Sequence, residues 1–301
     1  MKVLIALVRR NVKLYFKDKG MFFTSLITPL ILLVLYTTFL GNVYEDSFRS
    51  ALEAAGATVS DKLIMGCVGG QLVSSLLAVS CVTVAFCSNL LMVQDKTSGA
   101  RQDLTIAPIQ SSTLSLSYYL STLCSALLIS VAAMVVCLGY LYLVGWFLTA
   151  ADVAALLLDV FLLVMFGTAL SSCVIYPLST NGQASAVGTI ISAGYGFICG
   201  AYMPISSFSE GLQKVISFLP GSYGTSLLRN HTLRGVFQEM ENQHFPPQVV
   251  EAIRDSVDCN LYFFDNKVSL SGMYLVLIAS IVILVGLYIA MARLSQRKRR
   301  S

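Results

Sequence analysis

Six apolar runs divide this 301-residue chain, at residues 21–40, 63–93, 114–144, 153–176, 184–203 and 270–292. A helix of about 20 apolar residues spans the hydrocarbon core of a bilayer, and inside lipid a helix satisfies its own backbone hydrogen bonds. Together the runs hold one formal charge, Asp159. They predict an all-α integral membrane protein with six transmembrane helices. The second and third runs exceed the hydrocarbon thickness and are expected to tilt or to project beyond it. The first is longer than a signal-peptide core, and no small-residue cleavage site follows it. Charged residues make up only 12% of the chain, against about 25% in soluble proteins. That is too little to cover a soluble surface. A soluble enzyme, a disordered tail and a disulfide-stapled secreted module are excluded.

Orientation follows from the distribution of basic residues, which concentrate on the cytoplasmic side of short loops. Residues 1–20, the connector at 94–113 and the tail after 292 hold thirteen of the twenty Lys and Arg residues but only three of the sixteen acids. Both termini are expected in the cytoplasm, as an even number of spans requires. Seven of the eight cysteines, all but Cys259, lie inside apolar runs and read as packing residues. No Cys/His spacing suits a metal.

Four polar or amphipathic segments could carry mechanism. Residues 3–17 predict an amphipathic helix, with Leu4, Val8, Val12 and Tyr15 on one face and Arg9, Lys13 and Lys17 on another. It either lies in the headgroup plane against anionic lipid or simply anchors topology. The connector, with a break at Gly99 and a stop at Pro108, is either a solvated loop or a docking surface for a cytoplasmic partner. After Pro204, residues 206–219 predict a short amphipathic helix, broken at Pro220-Gly221, with a second helix over 223–233. Fourteen residues cannot cross a bilayer, so a hairpin dipping into the outer surface is expected, with a surface helix as the alternative. Asp159 is either a functional intramembrane carboxylate or a residue of the outer interface.

Small residues recur every four positions in two runs: Gly66, Gly70, Ser74 and Ala78, then Ala184, Gly188, Ser192, Gly196 and Gly200. Such stripes let helix backbones approach closely in lipid. They serve either packing within one subunit or an interface between subunits. No phosphate-binding loop, zinc-protease or nucleophile-elbow motif is present, so no ATP hydrolysis by that route and no catalytic, cofactor or metal site is expected in this chain.

The parts in order resemble the permeases of ABC type-2 exporters. An amphipathic start precedes six spans. Asp95-Lys96-x-x-Gly99 is followed by Leu104 and Pro108, and the Pro204 hairpin ends in Leu219-Pro220-x-x-Tyr223 with Arg229 beyond. The resemblance covers essentially the whole chain. It implies an elbow helix at residues 1–20 ahead of a transmembrane domain at 21–301, with an outer segment at 204–269 that holds a re-entrant pair of helices around Pro204, Pro220 and Tyr223. The connector would be the coupling helix, with Asp95, Lys96, Gly99, Arg101 and Pro108 in the ATPase-docking region. Ala100 and Arg101 stand where a Thr and an apolar residue are usual, and Lys96 stands where Arg is common. The implied partners are two ABC ATPase subunits, a second permease and membrane lipid, with no nucleic acid. ATP and magnesium would sit on the ATPases. The resemblance also favours a subunit interface and substrate path along Gly70, Ser74, Gly188, Ser192, Gly196 and Gly200.

The leading expectation is therefore an exporter subunit in a bacterial plasma membrane, moving an amphiphile such as a drug, antibiotic, peptide or lipid-like molecule. Alternatives are a polysaccharide or glycolipid permease, an ion-coupled carrier, and a membrane scaffold or sensor that transports nothing.

Overall fold

A computed structural model of the protein describes residues 2–54, 60–106, 109–264 and 266–300, and these are helical apart from turns and one short β-hairpin. The chain opens with α1 (Lys2–Lys17), which buries Leu7, Asn11 and Tyr15 at four-residue spacing and packs that face on α7 (Ser111–Val144). Asp18 separates it from α2 (Lys19–Leu35), its carboxylate accepting the Met21 amide proton at 3.1 Å as an N-cap. A π turn over Tyr36–Leu40 passes directly into α3 (Gly41–Ala54).

The centre of the molecule is α4 (Asp61–Asn89). From Leu63 to Asn89 every residue except Met65 is buried. A helix that is apolar on all sides belongs in a core, not at a surface. It packs against α2, α7, α8 (Ala150–Ile175), α9 (Asn181–Ile198) and α11 (Pro220–Asn242). A turn at Leu90 joins it to α5 (Leu91–Thr97), and Gly99, at φ +84°, turns the chain again into α6 (Ala100–Ile106). Added side-chain atoms at Gly99 would meet nothing, so the glycine serves the backbone angle alone.

Among the described residues five helices are long and apolar enough to cross a membrane: Lys19–Asp46, Asp61–Thr97, Ser111–Val144, Ala150–Ile175 and Leu270–Leu294. The last belongs to α13 (Leu270–Arg300). The apolar run at 184–203 forms a shorter helix than expected. It becomes α9, which ends at Ile198 because Gly200 takes a left-handed φ of +73°. Its 18 residues reach about 27 Å, and Asn181, Gln183 and its Ser and Thr residues dilute its apolar character.

The segment after Pro204 departs most from expectation. In place of one helix over 206–219 there is a 3-10 turn at Ile205–Ser207 and a seven-residue α10 (Glu210–Ile216). Pro220 does not break a helix but starts α11, in the first turn where its missing N–H costs nothing. α11 is also twice as long as expected and mostly buried despite its polar sequence. It begins against the middle of α8, where a Cβ on Gly224 would lie 2.3 Å from a Leu163 methyl. It ends against the α7–α8 turn, where a Cβ on Gly235 would lie 1.8 Å from the Phe147 carbonyl oxygen. Then α12 (Pro247–Ser256) and the ends of α3, α4 and α11 close a second, smaller core around Phe48, Leu63, Phe237, Met240 and Ile253. A hairpin pairing Tyr262–Phe263 with Asn266–Lys267 leads into α13.

Candidate functional site

The α4–α5–α6 corner is held by three polar ties. Arg10 of α1 grips Asp95 with both ends of its guanidinium, at 2.7 and 3.2 Å, and the Tyr118 hydroxyl of α7 donates to the same carboxylate at 2.6 Å. A bidentate charged pair fixes geometry as well as charge. Asp95 is only 5% exposed. One residue on, the Lys96 ammonium donates to the carbonyls of Tyr176 and Leu178 at the end of α8, where a cation also meets the negative end of the helix dipole. The Tyr176 ring lies between Lys96 and Arg101, at 5.5 and 5.7 Å from their charged groups. Tyr176 in turn meets Tyr288 of α13 edge to face, and the Tyr288 hydroxyl donates to the Ser115 carbonyl at 2.9 Å. Five helices are thereby tied at one corner.

This arrangement divides the connector. Asp95 and Lys96 point into the fold, and Arg101 is half-buried against Tyr176. The outward residues are Thr97, Ser98, Gln102, Asp103, Thr105 and Ile106. Ile106 is 85% exposed at the end of α6. Pro108 lies outside the described residues. Arg10, Tyr118 and Tyr176 went unnoticed in the sequence. Arg10 is one of six basic residues in the first twenty, and the two tyrosines sit in or at the end of apolar runs. Only an expectation that α1 folds back onto the connector would have singled them out.

A second feature is a groove between α2–α3 on one side and α9 and α12 on the other. Two adjoining hollows of about 780 and 750 Å³ meet at Leu40 and Tyr202. Thr24, Ser185, Thr189 and Ser192 supply hydroxyls along the first, and Gln248, Ser206 and Ser256 line the second. Apart from these and Ser207 the wall is apolar or aromatic, and no Asp, Glu, Lys or Arg lines either hollow among the described residues.

The structure splits the small-residue stripes. Gly188 opens onto the groove with nothing near its added Cβ, and Ser192 borders it. Gly196 instead accepts the ring of Tyr202 from the same chain, and Gly200 turns the backbone beside Asp258 and Ile205. Gly70 and Ser74 do not reach the subunit surface. Gly70 is a notch for Leu233 of α11, and Ser74 is fully buried with its hydroxyl bonded to the Gln71 carbonyl at 2.9 Å. Within this chain the α4 stripe packs against its own helices, one of the two roles expected of it. The reason is α11, whose burial against α4 was not foreseen.

Pro204 begins the turn after α9, Pro220 begins α11, and Tyr223 donates its hydroxyl to the Ser217 carbonyl at 2.6 Å, closing the α10–α11 turn. Behind them lies a buried ion pair. Arg229 donates to Asp258 at 2.8 Å, to the Ser75 hydroxyl at 3.3 Å and to the Gly200 carbonyl, while the Ile205 amide donates to Asp258 at 2.9 Å. Asp258 adopts a left-handed φ of +51° to reach this position, an uncommon conformation for a residue with a side chain. Among the described residues no cluster of His, Cys, Asp and Glu could hold a metal.

No curated protein matches the chain. A family model for ABC-2 type transporters matches residues 2–232, from α1 through most of α11. The match takes in the connector corner, the α2–α9 groove and the helices long enough to cross a membrane. The chain belongs to the ABC-2 type transporter family, whose members are membrane-embedded permease components that work with ABC ATPases.

Proposed function

We propose that this protein is the permease subunit of an ATP-driven exporter, with ATP hydrolysed on two ATPase subunits docked at its α5–α6 corner. The observation that carries the reading is the connector: rigidly tied inside by Asp95 and Lys96, it presents an exposed apolar tip at Ile106. An apolar residue at 85% exposure on a seven-residue helix gains from being covered, and the ties behind it pass a push on to five helices.

In this reading α9 is the fifth of six spans, α1 is an elbow helix at the cytoplasmic surface, and α10–α11 is a re-entrant pair entering from outside. Residues 1–20 precede a transmembrane domain at 21–301, both termini are cytoplasmic, and the protein resides in a plasma membrane. The basic residues of the N-terminal segment, connector and tail support that orientation. A second permease, identical or homologous, would face the α2–α9 groove, and the cargo would pass along it. A charge-free wall with scattered hydroxyls suits an amphiphile. An ion-coupled carrier would need titratable groups along its path, and the described groove offers no carboxylate or base.

The test is Ile106→Asp, co-expressed with the cognate ATPase. The side chain is exposed, so the fold should hold, with a change below about 0.5 kcal/mol. ATPase co-purification and transport should both fall at least tenfold. Unchanged assembly and transport would remove the connector from the docking surface.

A further inference from the structure

α2 has two apolar faces, and the groove uses one of them. Ile27 and Ile31 line the groove, while Leu26 and Leu33 line a separate slot on the side of α7. Both α2 and α7 pack on α4, and the slot of about 420 Å³ lies between them, with Leu76 of α4 in its floor and Ala132 and Val136 of α7 in its far wall. Every residue that lines it is aliphatic or aromatic apart from Cys137. Its rims are open: Leu30 is 55%, Leu128 59% and Val136 65% exposed. In a membrane-embedded permease such apolar rims face lipid chains. At one end the rings of Phe16 and Phe22 meet at 5.9 Å beneath the α1–α2 corner. From Phe22 to Leu33 the helix rises about 17 Å, and half of a hydrocarbon core is about 15 Å. The slot is one leaflet long.

Cations stand at the end marked by the two rings. Lys13 precedes Phe16 by three positions on α1, and Lys19 precedes Phe22 by three on α2, so each shares a helix face with a ring of the slot. Arg9 lies one turn before Lys13 on the same face. All three are exposed, and among the described residues none of them forms an ion pair. The neighbouring acid is committed elsewhere: Asp18 accepts the Met21 amide at 3.1 Å and the Gln94 side chain at 3.5 Å. Arg10 is held by Asp95 on another face of α1, and α7 carries no charge. An apolar slot one leaflet long, with cations at its end, complements a molecule with an acyl chain and an anionic head. A soluble anion has no use for the slot, and a lipid without net charge leaves the cations uncompensated.

We propose that the slot between α2 and α7 binds one anionic phospholipid, with an acyl chain against α4 and the phosphate held by Lys13 and Lys19. Basic residues at the ends of spanning helices attract anionic headgroups, and burial of the chain adds to that attraction in proportion to the apolar area covered. The bound lipid braces α2 from behind. α2 is the wall that the slot shares with the groove, although no residue lines both. The lipid site therefore lies apart from the proposed cargo path, and its failure would leave the permease reading standing.

Native mass spectrometry tests it, on the full-length permease delipidated in detergent and titrated with phosphatidylglycerol or phosphatidylcholine. Each basic residue near the headgroup adds about fivefold in affinity. The first phosphatidylglycerol should therefore bind at least tenfold more tightly than the first phosphatidylcholine, and the Lys13→Gln/Lys19→Gln variant should lose that preference. Both lysines are exposed, so this variant keeps its fold and decides the matter even where a slot variant misfolds. Ala132→Phe, which adds a ring to the slot from an exposed position, should weaken the first phosphatidylglycerol at least tenfold. Ser185→Phe, on the groove side of α9, should leave it unchanged. Equal binding of the two lipids by the wild type, a preference retained by the lysine variant, or unchanged binding by folded Ala132→Phe would overturn the site. Loss of binding in Ser185→Phe would place the lipid in the groove and overturn it as well.

Discussion

Truncating Asp95 should destabilise the permease itself before it affects any partner. Asp95→Ala removes the acceptor for two Arg10 donors and for the Tyr118 hydroxyl. Breaking a buried ion pair by deleting one partner costs about 3–5 kcal/mol. Arg10 is 31% exposed on its side chain and can recover some hydration, which places its share at the low end. The Tyr118 hydroxyl is buried and loses its acceptor, at about 1–3 kcal/mol. Allowing for the overlap of these costs, the loss is about 3 kcal/mol. Thermal unfolding of the purified permease without ATPase should show it as a fall of roughly 5–10 °C. Arg10→Met should cost less, and the cycle with Asp95→Ala should show a coupling of about 1–3 kcal/mol. An Asp95→Ala permease that melts within a degree of the wild type yet no longer binds ATPase would refute this account, because Asp95 would then be a contact with the partner.

Three further outcomes follow from the same geometry. Gly235→Ala places a methyl group within 1.8 Å of the Phe147 carbonyl oxygen, so it should destabilise by more than about 2 kcal/mol and reduce the folded yield in a size-exclusion assay. Arg229→Met strands the buried Asp258 at a cost of about 3–5 kcal/mol, and the double variant with Asp258→Leu should recover much of the melting temperature. In intact cells a membrane-impermeant maleimide should label Asn242→Cys and leave native Cys259 alone, since burial pushes the Cys259 thiol up to about 12 and the reactive thiolate is scarce; failure to label position 242 would contradict the outward placement of this segment.

The spans were legible because their signal is a sum over some twenty residues, which single substitutions barely alter. The turn of the connector was legible, since Gly99 marks it and the charges flank it, but the arrangement around it was not. Asp95 and Lys96 look like surface charges in the sequence, and only the fold-back of α1 and the end of α8 give them partners. Residues 220–242 were the largest miss. Their Arg229, His231 and Arg234 had no partner that the sequence could name. Each is in fact matched by a carboxylate that lies 29, 72 or 82 positions away. A helix can be polar and buried when its charges are paired one by one, and that pairing is a long-range property with no local signature. The Gly66–Gly70 stripe was legible as a site of close approach, while the identity of the approaching helix was not.

The buried position of α4 places one helix in contact with both the connector and α11. α4 and α5 make one apolar stretch over Asp61–Thr97, with a turn at Leu90 and the α5–α6 corner at one end. At the other end Leu233 of α11 sits in the notch left by Gly70, and Val236 joins the Phe147 ring at Gly66. Close-packed interiors move as units and do not deform continuously, so a displacement of the corner carries the whole of α4 with it. The notches hold α11 to α4, whereas Asp152, Asp159 and Tyr274 hold it to α8 and α13. α11 therefore lies between a helix that continues into the α5–α6 corner and a pair of helices joined to it by polar bonds. Any motion of α4 relative to α8 must be taken up at one of these two seams. The α4 seam is interlocked by shape and carries the Arg229 bond to the Ser75 hydroxyl, whereas the α8 seam is made by the Asp152–Arg234 and Asp159–His231 contacts beside the Gly224 notch for Leu163.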